Sequence, residues 1–151
     1  MSDINNFQRV GEEHNAGVGR SFEQLARRFF LEREGIHLIP NFSVSVGVIE
    51  RKKAHRFDLG SSAPAILVEC ESHTWTQGGN MPSAKMTVWN EAMYYFHVAP
   101  AEYRKIMFVL KHRRAGLSLA SYYLRTHGHM VPAGVEIWEY DTDLNAGERV
   151  L

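Results

Sequence analysis

Apolar side chains recur every three or four residues along two segments of the chain, which is the pattern of amphipathic helices. The first helix is predicted to begin at Ser21 and to end at Gly35, and its apolar stripe contains Phe22, Leu25, Ala26, Phe29 and Phe30. The second is predicted over residues 83–98, and its stripe contains Met86, Trp89, Asn90, Met93 and His97. A third helix is expected over residues 117–126.

Strands are indicated by alternation of apolar and polar residues, or by short apolar runs that fit a strand buried on both faces. A turn is expected at residues 60–64. The predicted strands cover residues 41–49, 55–59, 65–70, 106–110 and 134–140. The order is helix, three strands, helix, strand, helix, strand (α-β-β-β-α-β-α-β). It predicts an α/β domain with a central mixed β-sheet flanked by helices on both faces.

Length and composition fit one domain of ordinary globular type. The chain has 151 residues, of which we expect 1–16 to be a flexible N-terminal lead-in and 17–151 to form a single domain. Cys70 is the one cysteine, which excludes an internal disulfide and fits the reducing cytoplasm. No apolar run approaches the ~20 residues that span a bilayer, so no membrane partner is expected. The formal net charge is zero, so nucleic-acid binding would depend on local basic patches.

Three carboxylates interrupt the strand-like runs. Because side chains alternate along a strand, Glu69 and Glu71 should share one face with Leu67, and the preceding turn should place Asp58 beside Glu69. Such carboxylates repel each other, and a divalent cation such as Mg²⁺ relieves the repulsion. The alternative, in which Asp58 caps a turn and Glu71 is solvated, leaves Glu69 unexplained in mid-strand.

This order of elements, with Asp58 in a hairpin strand and Glu69-x-Glu71 in the next, resembles the PD-(D/E)xK nuclease superfamily over residues 20–140. The resemblance implies a restriction endonuclease-like fold. It makes Asp58 the motif's Asp and Glu69 its second acid, both of them catalytic metal ligands. Glu23 matches the acid that many members carry on the first helix. The alternative is that Glu23 simply favours the helix N-terminus.

Glu71 departs from the family pattern because it occupies the position of the motif's Lys, and three outcomes are open. Glu71 can act as a base or as an added metal ligand, as in some restriction enzymes. Lys85, at the start of the second helix, can supply the amine instead, although it equally fits an exposed helix residue. Alternatively, catalysis has been lost.

Candidate nucleic-acid contacts lie in the hairpin turn, in the loop after the acids and on the second helix. They are Arg51, Lys52, Lys53, Arg56, Trp75, Gln77, Asn90 and Tyr94. Asn90 and Tyr94 are similar to a Gln-x-x-x-Tyr pair of one branch of the superfamily. Trp75 equally fits a side chain packed back on the domain. A second basic run, residues 111–114, follows the fourth strand. The histidine spacing does not indicate zinc.

The resemblance therefore implies an Mg²⁺-dependent endonuclease, with Mn²⁺ able to substitute, that hydrolyses DNA phosphodiester bonds in prokaryotic restriction or repair. RNA remains an alternative substrate. A duplex break requires two copies of so small a domain, so a homodimer is expected. One alternative function is a catalytically silent module that binds nucleic acid or a partner protein. A second is hydrolysis of another phosphate ester.

Overall fold

The computed structural model describes residues 12–78, 80 and 83–151, which form three α-helices, a six-stranded sheet and a two-stranded ribbon. In chain order the elements are α1 Glu12–Glu34, β1 Ile39–Val46, β2 Lys53–Ser62, β3 Ala65–Glu71, α2 Ser83–Val98, β4 Arg104–Leu110, β5 Arg113–Arg114, β6 Leu117–Ser118, α3 Leu119–His127, a 3-10 turn Gly128–Met130, β7 Glu136–Asp141 and β8 Ala146–Arg149. None of the helices in these ranges is long and apolar enough to cross a membrane.

The large sheet is mixed, as the sequence predicts. Its strand order is β1-β2-β3-β4-β7-β8, and β5 pairs with β6 separately. The hairpin of β1 and β2 is antiparallel and continues antiparallel into β3. β3, β4 and β7 are parallel to each other, and β8 returns antiparallel to β7. The parallel pairs require crossover connections, which α2 and α3 provide.

Two hydrophobic cores lie on opposite faces of the sheet, so the prediction of helices on both faces is confirmed. α1 packs on one face, where Phe22, Ala26 and Phe30 contact Val68 and other strand residues. α2 and α3 pack on the other face, where Leu67 and its neighbours lie. Successive residues of β3 alternate between these cores because strand side chains point to opposite faces.

The first helix is longer than its apolar stripe predicts. It begins at Glu12 rather than at Ser21, so residues 12–16 of the expected lead-in are helical, and residues 1–11 lie outside the described part. Its predicted end is confirmed, because Gly35 has a φ of 70° and its N–H donates to the Leu31 carbonyl. Glycine tolerates this left-handed conformation and commonly ends helices.

The strand limits also differ from the prediction. β1 ends at Val46, so Val48 is exposed rather than inward-facing. β2 continues through Gly60 to Ser62, so the predicted turn is shorter. A Cβ on Gly60 would lie 2.5 Å from the Phe42 ring, which shows that this glycine permits close packing within the hairpin. The short elements β5, β6 and β8 were not predicted.

The limits of α2 are those predicted, but its buried face is different. Met86, Trp89 and Met93 are buried, whereas His97 is exposed and Asn90 is only partly buried. The remaining buried positions belong to Ala92 and Phe96.

Candidate functional site

Glu69 and Glu71 lie at the carboxyl end of β3, beside the parallel strand β4. Glu69 is in register with Met107, and Glu71 with Val109. Both acids share the α2 side of the sheet with Leu67, whereas Cys70 belongs to the α1 side. The side chains of Glu69 and Glu71 are only 12% and 9% exposed, respectively. The predicted common face is therefore confirmed, and the acids are largely withdrawn from water.

Asp58 approaches β3 through an irregularity in β2. Phe57 packs in the core under α2 and Leu59 in the core under α1, although residues two apart in a regular strand share a face. Opposite this point, Asn41 of β1 has a φ of 55°. The local break, like a β-bulge, redirects a side chain. The Asp58 Oδ2 atom accepts a hydrogen bond of 2.8 Å from the Cys70 N–H.

The acids influence one another strongly. The pKa of Glu69 is raised to about 10, first by burial and then by Asp58, with smaller contributions from Glu71 and Glu23. The pKa of Glu71 is raised to about 8 by burial and by Asp58, against the charge of Lys85. Both groups therefore hold protons at neutral pH. Glu23 on α1 and Lys85 on α2, both singled out from the sequence, lie within electrostatic reach of this cluster.

A histidine that sequence reasoning did not place in the site accompanies Glu69. The Nε2 atom of His55 lies 3.5 Å from Glu69 Oε1. The His55 ring stacks on Tyr95 of α2 with a centroid distance of 3.5 Å and an angle of 9°. Burial lowers the His55 pKa, although the charges of Glu91 and Asp58 oppose the shift. α2 thus holds an imidazole against the mid-strand acid.

A second histidine accompanies Glu71 in a similar way. The Nδ1 atom of His73 lies 3.3 Å from Glu71 Oε2. The same nitrogen accepts a hydrogen bond of 3.3 Å from Nε1 of Trp89 on α2. Burial lowers the His73 pKa to about 4, and the charge of Lys85 adds to the shift. His73 is therefore neutral at pH 7, and its contact with protonated Glu71 is not an ion pair.

One acid on α2 also escaped the sequence analysis. Glu91 is exposed, yet its charge raises the pKa of both Glu71 and His55. A sequence signal was present in the position of the two histidines, since His55 lies two residues before Phe57 in its strand and His73 two residues after Glu71. No comparable pattern marks Glu91, because its proximity depends on how α2 crosses the sheet.

The chemistry of this donor set suits a hard divalent cation. Asp58, Glu69 and Glu71 offer carboxylate oxygens, which Mg²⁺ and Mn²⁺ prefer, and cation binding releases the protons that such ligands hold. Within residues 12–78, 80 and 83–151, no three Asp, Glu, His or Cys side chains already form a metal-binding group. Ionisation and rotation of the two protonated acids would therefore accompany cation binding.

The expected nucleic-acid contacts fall into two groups. Arg51, Lys52, Lys53 and Arg56 are all exposed on the β1–β2 hairpin, and Gln77 is exposed in the loop after β3. The tip of this hairpin is fixed to α2, because the Gly47 N–H donates to the Val98 carbonyl at 3.0 Å. These side chains are therefore available to a partner.

Trp75 is not available to stack on a base. It is 6% exposed, its Nε1 donates to the Leu117 carbonyl, and its backbone N–H donates to His112 Nδ1. Of the two interpretations of Trp75, packing against the domain is the one observed. Arg114 lies over the indole, 5.3 Å from a ring centroid. Trp75 thus anchors the loop after β3 to the loop after β4.

Asn90 and Tyr94 do not act as a pair. The Asn90 Oδ1 atom accepts a hydrogen bond of 2.8 Å from the Tyr123 hydroxyl and so connects α2 with α3. Tyr94 is 61% exposed, with its ring near His97.

Comparison of the chain with protein-family models, with curated proteins and with solved structures finds no match.

Proposed function

We propose that this protein is a divalent-metal-dependent endonuclease with a restriction endonuclease-like fold, which hydrolyses DNA phosphodiester bonds. The observation that carries the proposal is the convergence of Asp58, Glu69 and Glu71 at the carboxyl end of β3, where burial and mutual repulsion raise the pKa of both glutamates. Strongly perturbed carboxyl groups that cluster in this way are typical of functional sites.

In the proposed mechanism, Asp58 and Glu69 hold the cation, and Glu71 either adds an oxygen ligand or accepts a proton from the attacking water. The cation, Mg²⁺ or Mn²⁺, lowers the pKa of bound water and neutralises the charge that grows on the phosphate. Lys85 contributes positive charge beside Glu71. Glu23 strengthens the negative potential that attracts the cation.

The exposed cations of the β1–β2 hairpin, together with Lys111, Arg113 and Arg114 after β4, would contact DNA phosphates. We propose that two copies act together, since one site cuts one strand. The lone Cys70 suits work in the cytoplasm, where restriction and repair take place.

A second candidate is a catalytically silent module of the same fold. Glu71 favours it, because this side chain cannot supply the positive charge that the lysine of an active motif provides. Lys85 is exposed on the first turn of α2 and would have to compensate.

The test is incubation of purified protein with supercoiled plasmid, linear duplex, single-stranded DNA and RNA in Mg²⁺, Mn²⁺ or EDTA. We expect cleavage of DNA that is stronger in Mn²⁺ than in Mg²⁺, because Mn²⁺ tolerates imperfect coordination, and no cleavage in EDTA. Binding without cleavage in either metal would establish the silent module, and cleavage that persists in EDTA would refute the metal mechanism.

Glu71→Lys separates the two candidates further. If Glu71 is a working ligand or base, the lysine reduces cleavage by an active wild type. If the chain has lost catalysis through this position, the lysine creates or greatly raises cleavage. Lys85→Ala tests the remaining route, because it should cripple a wild type that depends on this amine and spare one that does not.

A further inference from the structure

The hydrogen bond between Trp89 and His73 determines which nitrogen of the histidine carries its proton. An indole N–H can only donate, so Nδ1 of His73, 3.3 Å away, must be the acceptor. A neutral imidazole has one protonated nitrogen. The proton of His73 therefore resides on Nε2.

The same bond fixes the ring in place. Trp89 is fully buried under the sheet, and its ring packs against Tyr123 of α3 with a centroid distance of 5.1 Å. The His73 side chain is 25% exposed, so it belongs partly to the protein interior and partly to the surface. Because Nδ1 is engaged by the interior, Nε2 is the nitrogen left for an external ligand.

We propose that His73 presents its Nε2–H to a non-bridging oxygen of the scissile phosphate, as a fixed neutral hydrogen-bond donor beside Glu71. The proposal rests on the nuclease function proposed above. A donor placed in advance at the point where phosphate charge grows stabilises the transition state without reorganising.

His73 suits this task better than Lys85 does. Lys85 is exposed, and a lysine has several freely rotating bonds that must be ordered in each catalytic cycle. The His73 ring is already oriented by Trp89, and His73 is adjacent to Glu71. The charge of Lys85 acts on both of these groups from outside.

Two substitutions at position 73 distinguish the two nitrogens. In His73→Asn, the side-chain oxygen can still accept from Trp89, but no donor reaches the position of Nε2. In His73→Gln, the longer amide carries an N–H to about the position of Nε2. We expect kcat with Mn²⁺ to fall about 100-fold in His73→Asn and less than about tenfold in His73→Gln. KM for DNA and Mn²⁺ affinity by calorimetry should change little in either variant.

Equal kcat losses in the two variants, or no loss in His73→Asn, would overturn the donor role. A parallel loss of Mn²⁺ affinity would also overturn it, because His73 would then be a metal ligand.

The tautomer is tested without any reference to cleavage. Long-range ¹H–¹⁵N spectra of the labelled protein at pH 7, with and without Mg²⁺, should show the proton of His73 on Nε2. Trp89→Phe removes the indole donor and should yield a mixture of the two tautomers. A proton on Nδ1 in the wild type would refute the inference while leaving the nuclease proposal intact.

If the wild type cleaves nothing in any metal, the nuclease proposal fails and a duplex oligonucleotide becomes the probe. A change in the ¹⁵N shift of His73 Nε2 on adding the duplex then supports phosphate contact by this donor. An unchanged shift in the presence of bound duplex overturns it.

Discussion

Carboxylates are buried at both ends of the parallel strands, and the two ends treat them in opposite ways. At the amino end of β7, Glu136 accepts from Arg104 Nε at 2.7 Å and Nη2 at 3.0 Å, and from Trp138 Nε1 at 3.0 Å. These donors lower its pKa despite its burial. At the carboxyl end of β3, the pKa of Glu69 and that of Glu71 are raised instead.

The difference is the source of the compensating charge. Arg104 also donates to Glu34 at 2.8 Å, so the amino-end group ties the end of α1 to the sheet. The chain supplies the cation there, and the result is structural. At the carboxyl end, Glu69 and Glu71 meet imidazoles that are neutral at pH 7. A buried acid cluster whose cation is not supplied by its immediate partners has the character of a site for a cation from solution.

The largest effect should come from removing an acid at the carboxyl end. Asp58→Ala and Glu69→Ala should each lower metal-dependent cleavage by at least about 100-fold, since each loses a proposed ligand. Calorimetric binding of Mg²⁺ or Mn²⁺ should weaken in parallel, whereas Glu32→Ala, an exposed position on α1, serves as the control. Cleavage that survives in either variant removes that residue from the site.

Stability should respond in the opposite order. Glu136→Gln breaks a charge-assisted pair and leaves Arg104 with one partner fewer, so the free energy of unfolding should fall by about 1–3 kcal/mol. Glu69→Gln replaces a side chain that is already neutral and should change it by less than about 1 kcal/mol. Urea denaturation in EDTA measures both. A larger loss in Glu69→Gln would mean that the two ends do not differ as described.

The dependence of stability on pH should also differ between the two ends. Glu69 and Glu71, with pKa values near 10 and 8, bind protons in the folded state that the unfolded chain has released. The unfolding free energy of the metal-free protein should therefore fall between pH 7 and pH 9, on the order of 1 kcal/mol per pH unit. His55 and His73, with lowered pKa values, act below about pH 6.5 and in the other direction.

Urea titrations across this range check the slope, and the double variant Glu69→Gln, Glu71→Gln should flatten it. Saturating Mg²⁺ should flatten it too, because a bound cation replaces the protons. Glu136, whose pKa is lowered, stabilises the fold above the ordinary carboxyl pKa and loses this contribution only in acid. A slope that the double variant retains would point to other groups.

The smallest effect is expected at the hairpin cations, which lie in and beside the strand that carries His55. Neutralising Arg51, Lys52, Lys53 and Arg56 together should weaken DNA binding and flatten its dependence on salt. Each lost phosphate contact reduces the log–log slope by roughly 0.9 on duplex DNA. Fluorescence anisotropy over a salt series measures the slope, and Arg28→Ala on α1 is the control. An unchanged slope would place the DNA elsewhere.

The sequence by itself determined much of the architecture. The helical period of residues 83–98 predicted α2 with its observed limits. The apolar run of β3 indicated a strand buried on both faces, and its period of two placed Glu69 and Glu71 together. Their proximity to Asp58 also followed, because a short connection between β2 and β3 constrains the register. Local periodicity carries these features, and no distant contact is needed to specify them.

The tertiary structure alone decided which side chains complete the site. His55 and His73 meet the acids only because Tyr95 and Trp89 of α2 hold them there. Trp75 turned inward because the segment after β4 provides acceptors for its N–H groups. The short strands β5, β6 and β8 depend on backbone pairing, which leaves little periodicity in the sequence. Contacts between residues far apart in the chain exist only after the sheet and helices have assembled.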